Sequence, residues 1–414
     1  MHQNFEKMKH FLLFLSIALV CVSCGNEDDP NTPTGPAERT VIVYMSAENN
    51  LSNPFADRDT AEMVIGSKAL SKSNHYIAFV DKAEKDKKPS IWKFEDGQSK
   101  LIKEYPEDFY NSDPAKMKEI LEFIAKEYPA KSYGLVLWGH ATGWIIENDS
   151  VEYTRGGGVR RAYGRDTGNN SSRADNYGKW INIPTLAKML KSLSYRFDYI
   201  FCDCCNMANA ETAYELRNVT DYLIGSPGEI PGEGAPYDKL TTVFFSKQSS
   251  AYQDMINIYA DDTQSSLPLS VIKLSEMEQL ANATRVILQT LEPTAEKELN
   301  LDGLMYYDGV VVQNLRSLFD MNHFLLQNAA ADDYQQWKLA LDRAIVSKRF
   351  ASSWMTNGHV RFSWFQADEQ KYGGMSMYIP RTFYDNYDYS SNYNSTYHQM
   401  QWYWAVGWNN YGWN

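Results

Sequence analysis

Short, uninterrupted apolar runs alternate with amphipathic stretches through the first 250 residues of the chain. The runs Arg39–Ala47 (RTVIVYMSA), His75–Asp81 (HYIAFVD), Tyr133–His140 (YGLVLWGH), Phe197–Asp203 (FDYIFCD) and Asp221–Ser226 (DYLIGS) predict strands buried on both faces. Between them, Ala61–Lys72 and Pro184–Leu193 have the spacing of helices. Asp113-Pro114 predicts a capped helix start, with Met117, Ile120, Leu121 and Ile124 as its apolar stripe. Ser90–Phe94 and Leu101–Tyr105, with Asp96-Gly97 between them, read as a hairpin. Strands alternating with helices imply an α/β fold, a mostly parallel central sheet covered by helices.

Beyond residue 250 the pattern turns mainly helical, over Tyr252–Tyr259, Leu274–Leu291, Val310–Gln327 and Asp333–Val346. Met375–Ile379 is expected to return to the sheet as a late edge strand. The tail MQWYWAVGWNNYGWN is dense in aromatics, which suits an amphipathic core more than a binding surface. The segment Glu147–Lys179 is polar and rich in Gly, Asn, Ser and Arg, and reads as a mobile loop.

The N-terminus carries an address. Lys7, Lys9 and His10 precede the apolar run FLLFLSIALVCV, and Ser23-Cys24 follows it. This pattern predicts a signal peptide over residues 1–23 and lipidation of Cys24, as in a bacterial lipoprotein. Residues 24–38 are acidic and Pro-rich, and read as a disordered tether. A catalytic core over 39–250 and a C-terminal region over 251–414 complete the expected organisation, which is extracytoplasmic, monomeric and anchored through lipid to an outer membrane, with surface exposure as a further expectation.

The net charge of −12 argues against a nucleic-acid partner and suits cationic substrates. Of the five cysteines, Cys21 leaves with the signal and Cys24 takes the lipid. Cys202, Cys204 and Cys205 remain together, which is neither a disulfide framework nor a zinc-ligand spacing. Acidic residues cluster at Glu27–Asp29 and at Asp261-Asp262 without a calcium-ligand spacing, so no cofactor is expected to be required.

Two strands end in reactive side chains, His140 and Cys205. Neighbouring strands of a parallel sheet bring such ends to one edge, where a thiol and an imidazole form a nucleophile–base pair. A helix starting just after Cys205 is expected to favour the thiolate through its dipole. Backbone N–H groups at Ala141 and Cys205 are the candidate oxyanion donors.

YGLVLWGHATGW resembles the histidine motif of the clostripain-like cysteine peptidases, relatives of caspases and gingipains, and CDCCNMANAETAYEL resembles their cysteine motif. TVIVYMSAENNLS and YLIGSPGEIPGEGAPY are similar to the family's first strand and post-cysteine loop. The resemblance implies a caspase-like fold and cleavage of peptides after Arg or Lys, with Asp203 in an acidic S1 pocket. It also implies activation by a cut between the two motifs, where Arg155, Arg160, Arg161, Arg165, Arg173 and Lys179 are the candidate sites. The family usually carries Gly after the histidine; here it is Ala141, which a positive φ would strain. Its acidic pair after the cysteine is interrupted by Pro227-Gly228 ahead of Glu229. An alternative reading of the same residues is a catalytically impaired surface lipoprotein that binds or adheres.

Overall fold

The structure is a computed structural model. It describes residues 35–146, 162–168, 178–263, 266–294, 296–310, 315–356, 360–361, 367–387, 390 and 392–413. The signal, Cys24, the tether, and Arg155, Arg160, Arg161 and Arg173 lie outside the described residues.

The strands are β1 (Arg39–Ala47), β2 (Asn74–Lys82), β3 (Ser90–Glu95), β4 (Gln98–Glu104), β5 (Tyr133–Gly139), β6 (Tyr163–Asp166), β7 (Lys179–Ile181), β8 (Phe197–Asp203), β9 (Thr220–Gly225), β10 (Leu269–Lys273), β11 (Tyr306–Val310), β12 (Leu315–Asp320), β13 (Ile345–Arg349), β14 (Met355–Thr356), β15 (Val360–Arg361) and β16 (Ser376–Tyr378). The helices are α1 (Asp57–Ser67), α2 (Pro114–Glu127), α3 (Ile183–Lys191), α4 (Ala210–Leu216), α5 (Tyr237–Phe244), α6 (Ala251–Asp262), α7 (Met277–Leu291), α8 (Met321–Asn328), α9 (Ala331–Ala344), α10 (Tyr393–Tyr397) and α11 (Gln401–Val406).

One nine-stranded sheet runs in the order β13-β10-β9-β8-β5-β1-β2-β3-β4. Its middle, β9-β8-β5-β1-β2, is parallel, and the strands on either side are antiparallel. All nine residues of β1 are buried, because helices cover both faces of the sheet. Val41, Val43 and Met45 pack with residues of α1, α5 and α6, whereas Ile42 and Tyr44 pack with residues of α2, α3 and α4. Asp96 and Gly97 both take positive φ, 51° and 74°, in the two-residue turn of the expected β3–β4 hairpin. Asp113 accepts from the N–H groups of Ala115 and Lys116 and starts α2 as predicted.

Three expectations need revising. Part of the polar segment 147–179 is ordered against the core. Ala162 and Tyr163 are buried, and the Tyr163 hydroxyl donates to the carbonyls of Tyr44 and Trp138. β6, within the segment, pairs with β7, which starts at the segment's last residue. The Val310–Gln327 helix is replaced over Leu315–Asp320 by β12, and only then does α8 start, its first turn capped by Asp320 accepting from the His323 N–H at 2.9 Å. Periodicity alone does not separate a short buried strand from a helix. The late strand, β16, pairs with β12 in a separate three-stranded sheet and touches the catalytic segment through a bridge from Ser376 to Asn209. The region beyond 250 is rich in helices as expected, and it also supplies β10 and β13 to the main sheet.

The aromatic tail is largely core. Trp402, Tyr403 and Trp408 are fully buried, while Trp404 remains exposed.

Candidate active site

Register places the two reactive side chains. Trp138 of β5 pairs with Asp203 of β8, and His140 and Cys205 each lie two residues further along. Gly139 permits the turn into the histidine. Its φ is +135°, and a Cβ there would stand 2.8 Å from the Ser46 carbonyl oxygen. His140 and Cys205 line one cavity of about 440 Å³ at this edge of the sheet.

The Nε2 of His140 lies 2.9 Å from Oδ1 of Asn50, in the turn after β1. The same oxygen accepts from the Arg165 guanidinium at 3.4 Å, and a guanidinium only donates. The Asn50 atom facing the ring is therefore its acceptor, which puts the imidazole proton on Nε2 and leaves the lone pair on Nδ1. Burial, and then the charge of Arg165, push the His140 pKa down to about 4. At neutral pH the ring is an uncharged base.

Cys205 sits in the bend between β8 and α4. Asn206 beside it adopts a left-handed φ of 59°, and its N–H bonds the Gly228 carbonyl at 2.8 Å. The Ile230 N–H reaches the sulfur at 3.4 Å. Burial pushes the Cys205 thiol up to about 12, the Glu229 carboxylate adds to this, and the Ile230 N–H opposes it. This corrects the helix-dipole expectation. The helix begins only at Ala210 and has seven residues, so its amino end is too far along the chain and too short to dominate. The resting pair is a neutral thiol and a neutral imidazole. Cys202 and Cys204 are buried free thiols, and Cys205 is partly exposed.

Ala141 is not strained. It is absent from the described residues with positive φ, and the glycine at +77° is Gly143. The bridge from Ala141 to Tyr163 uses the N–H groups of Gly164 and Thr142, leaving that of Ala141 outside the ladder.

Asp203 lies at the floor of the same cavity, almost fully buried. Its Oδ2 accepts from the Ala235 N–H at 3.1 Å and the Tyr237 hydroxyl at 2.9 Å, and its Oδ1 from the Tyr259 hydroxyl at 2.8 Å. Beside it is Asp59 of α1, which accepts from the Trp138 indole N–H at 2.6 Å and keeps its other oxygen without a hydrogen-bond donor. A Cβ on Gly234 would stand 3.0 Å from an Asp203 oxygen and 3.1 Å from an Asp59 oxygen. Gly234 thus leaves the space above both carboxylates open. Burial, and then the Asp203 charge, raise Asp59 to about 8, and burial also raises Asp203. Glu229 is the other carboxylate lining the cavity, and no lysine or arginine is among the described residues that line it.

The post-cysteine loop thus wraps both groups, Ile230 at the sulfur and Ala235 at the acid. Asn50, Asp59 and Glu229 were not singled out as site residues from sequence. The only signal for the first two is their position just after β1, at the edge where β5 and β8 also end. Arg165 and Lys179 sit inside the paired strands β6 and β7. Asp261 and Asp262 form surface ion pairs with Arg349 and Lys239.

Residues 43–413 match the clostripain family. The chain belongs to that family. It is a cysteine peptidase, and its central sheet matches those of solved C11 proteases. A secreted C11 cysteine protease from Bacteroides thetaiotaomicron, solved with an irreversible peptide inhibitor, is 27% identical with a TM-score of 0.71, the match covering 90% of this chain and 100% of that one. An inactive zymogen C11 protease from Parabacteroides distasonis shares the fold at 24% identity and a TM-score of 0.72, over 90% of this chain and 99% of that one. No curated protein matches the peptidase. No helix among its described residues is long and apolar enough to cross a membrane.

Proposed function

We propose that the peptidase cleaves peptide bonds after Arg or Lys, with Cys205 as nucleophile and His140 as base. The observation that carries this reading is the cavity itself, which holds both reactive side chains over the buried carboxylate of Asp203. A cationic P1 side chain entering past Gly234 would meet Asp203 and Asp59, offsetting the burial that raises both pKa values and the repulsion from Asp203 that adds to it at Asp59. As the sulfur attacks the carbonyl carbon, the thiol proton passes to Nδ1 of His140. The N–H groups of Ala141 and Cys205 hold the oxyanion. The imidazolium then protonates the leaving amine, and neutral His140 draws a proton from the water that releases the acyl group.

A cut at Arg155, Arg160 or Arg161 would fall ahead of β6 and one at Arg173 between β6 and β7, while Tyr163 keeps β6 bound to the core. Arg165 and Lys179 are poorer sites, because a bond in a paired strand must leave its partner to enter a protease cleft. Activation by such a cut, and lipid anchoring at Cys24, complete the proposed working form.

The test is hydrolysis of peptides with Arg, Lys or a neutral residue at P1, before and after nicking with a trypsin-like protease. Cleavage after Arg and Lys that vanishes in Cys205→Ala supports the reading. A preference for basic P1 that survives intact in Asp203→Asn removes the S1 assignment. No cleavage in either form favours a binding lipoprotein, and amine transfer exceeding hydrolysis favours an acyltransferase. Labelling with a radioactive fatty acid that persists in Cys24→Ala would remove the anchor.

A further inference from the structure

The first 250 residues do not build the cleft alone. Met355 of β14 lines the same cavity as His140 and Cys205. Trp354 and Thr356 on either side of it are buried, and Met355 between them is only partly so. Side chains alternate along a strand, so burial of those two turns Met355 out of the core and into the cavity. The strand is held firmly. Met355 forms an antiparallel bridge with Glu229 of the post-cysteine loop. Trp354 stacks on Tyr307 with ring centroids 4.8 Å apart, and its indole N–H donates to the Tyr306 carbonyl at 2.9 Å. Gly228 packs against the same two rings, since a Cβ on it would stand 3.4 Å from Tyr307 and 3.5 Å from Trp354.

The chemistry gives the cavity a direction. A leaving amine that takes its proton from His140 puts the chain beyond the scissile bond on the histidine's side, where the Trp180 ring centroid is 6.4 Å from that of His140. The acyl half then runs along the post-cysteine loop, whose Ile230 N–H reaches the Cys205 sulfur. This stretch has Gly234, above Asp203, at one end and Glu229, bridged to Met355, at the other. Successive side chains of an extended peptide point to opposite sides. With P1 directed past Gly234 to Asp203, P2 is turned away from that floor.

We propose that Met355, with Ile230, forms the subsite for the P2 side chain, and that the peptidase selects peptides with an apolar residue there. A methionine is unbranched and polarisable, so it adapts to apolar groups of different shape. The Glu229 carboxylate lines the same cavity and disfavours an acidic P2 residue. The subsite rests on the proposed roles of Cys205 and His140, which set the direction of the chain, and not on the preference for Arg or Lys at P1.

The test varies P1 and P2 independently in peptides given to the whole chain, nicked with a trypsin-like protease where the intact form is inactive. The expected kcat/KM for Leu over Gly at P2 is roughly 10–100-fold, the range an apolar group of this size adds in a pocket, with Asp below Gly. Met355→Ala should lower the Leu/Gly ratio about fivefold or more while leaving the Gly peptide within about twofold, and Met355→Leu should keep it. Met355→Gln serves if the Ala variant does not fold. Equal rates for Leu and Gly in the native enzyme, a ratio unmoved by the variants, or an equal loss for every peptide would overturn the subsite. A neutral preference at P1 with a P2 ratio that falls in Met355→Ala would remove the S1 assignment and leave this one standing. A basic preference at P1 with an unmoved P2 ratio would do the reverse.

Discussion

Nε2 of His140 lies 2.9 Å from Oδ1 of Asn50, an oxygen that also accepts from Arg165. The contact sets the tautomer of the ring and leaves the lone pair on Nδ1. Removing it in Asn50→Ala leaves Asp203 and its hydrogen-bond donors in place but frees the ring. Steady-state kinetics should show kcat reduced roughly 10–100-fold with KM little changed, as for other residues that orient a reacting group. Asn50→Asp should instead raise the His140 pKa from about 4, because a carboxylate favours the imidazolium. The acid limb of the kcat/KM profile then moves to higher pH. An unmoved limb would count against the contact.

With Asp203 and Asp59 at the proposed P1 site, the preference for basic residues is expected to depend on pH. Asp59, its pKa raised to about 8, is protonated at neutral pH and ionises as the pH passes 8. Ionisation adds negative charge beside Asp203, while an Arg side chain stays positive throughout. The ratio of kcat/KM for Arg over a neutral P1 residue should rise between pH 6.5 and 9, and Asp59→Asn should flatten it. Taking the ratio cancels the titration of Cys205 and His140. A flat ratio in the native enzyme would exclude Asp59 from the pocket.

Gly234→Ala would place a methyl group against both carboxylates at a φ of +67°. The expected outcome is a KM for Arg peptides raised more than about tenfold, with a smaller effect on neutral ones. The backbone strain adds roughly 1–2 kcal/mol of destabilisation, visible in urea unfolding. Equal losses for all substrates would point to a collapsed site instead.

Glu211 holds α4 to the C-terminal region. Its Oε1 accepts from the Tyr378 N–H at 2.9 Å and from the Tyr397 hydroxyl at 2.8 Å, and its Oε2 is buried without a donor. Burial raises its pKa to about 7. The folded protein therefore keeps a proton that the unfolded chain releases above its ordinary carboxyl pKa, so stability falls as the pH rises from about 4 toward 7. Glu211→Gln keeps the accepting oxygen and removes the titration. It should match the native protein near pH 4.5 and exceed it at pH 8, by at most roughly 3 kcal/mol in urea unfolding. A variant less stable at both values would show that the charged form is the favoured one.

Much of the site was readable from local pattern. The run ending in His140 and the run ending at Asp203 are apolar over their whole length, as strands buried on both faces must be. The Asp96-Gly97 turn and the Asp113-Pro114 cap act within a few residues, so their chemistry is visible without a fold. The β12 segment was misread because Leu315, Leu318 and Phe319 fit a helical stripe as well as a strand. Ala162 and Tyr163 were lost inside a polar segment, since what buries them is Tyr44 and Trp138, far away in sequence.

The sequence by itself determined the alternating strands and helices, the histidine and cysteine motifs and the family, because each depends on neighbours along the chain. Tertiary structure decided the electrostatics. Whether Cys205 rests as thiol or thiolate depends on burial and on Glu229, and a helix dipole inferred from sequence pointed the other way. Asn50 under His140 and Asp59 beside Asp203 meet only because the parallel strands β1, β5 and β8 end together at one edge. A charge responds to everything within a few ångströms, and those neighbours come from strands far apart in the chain.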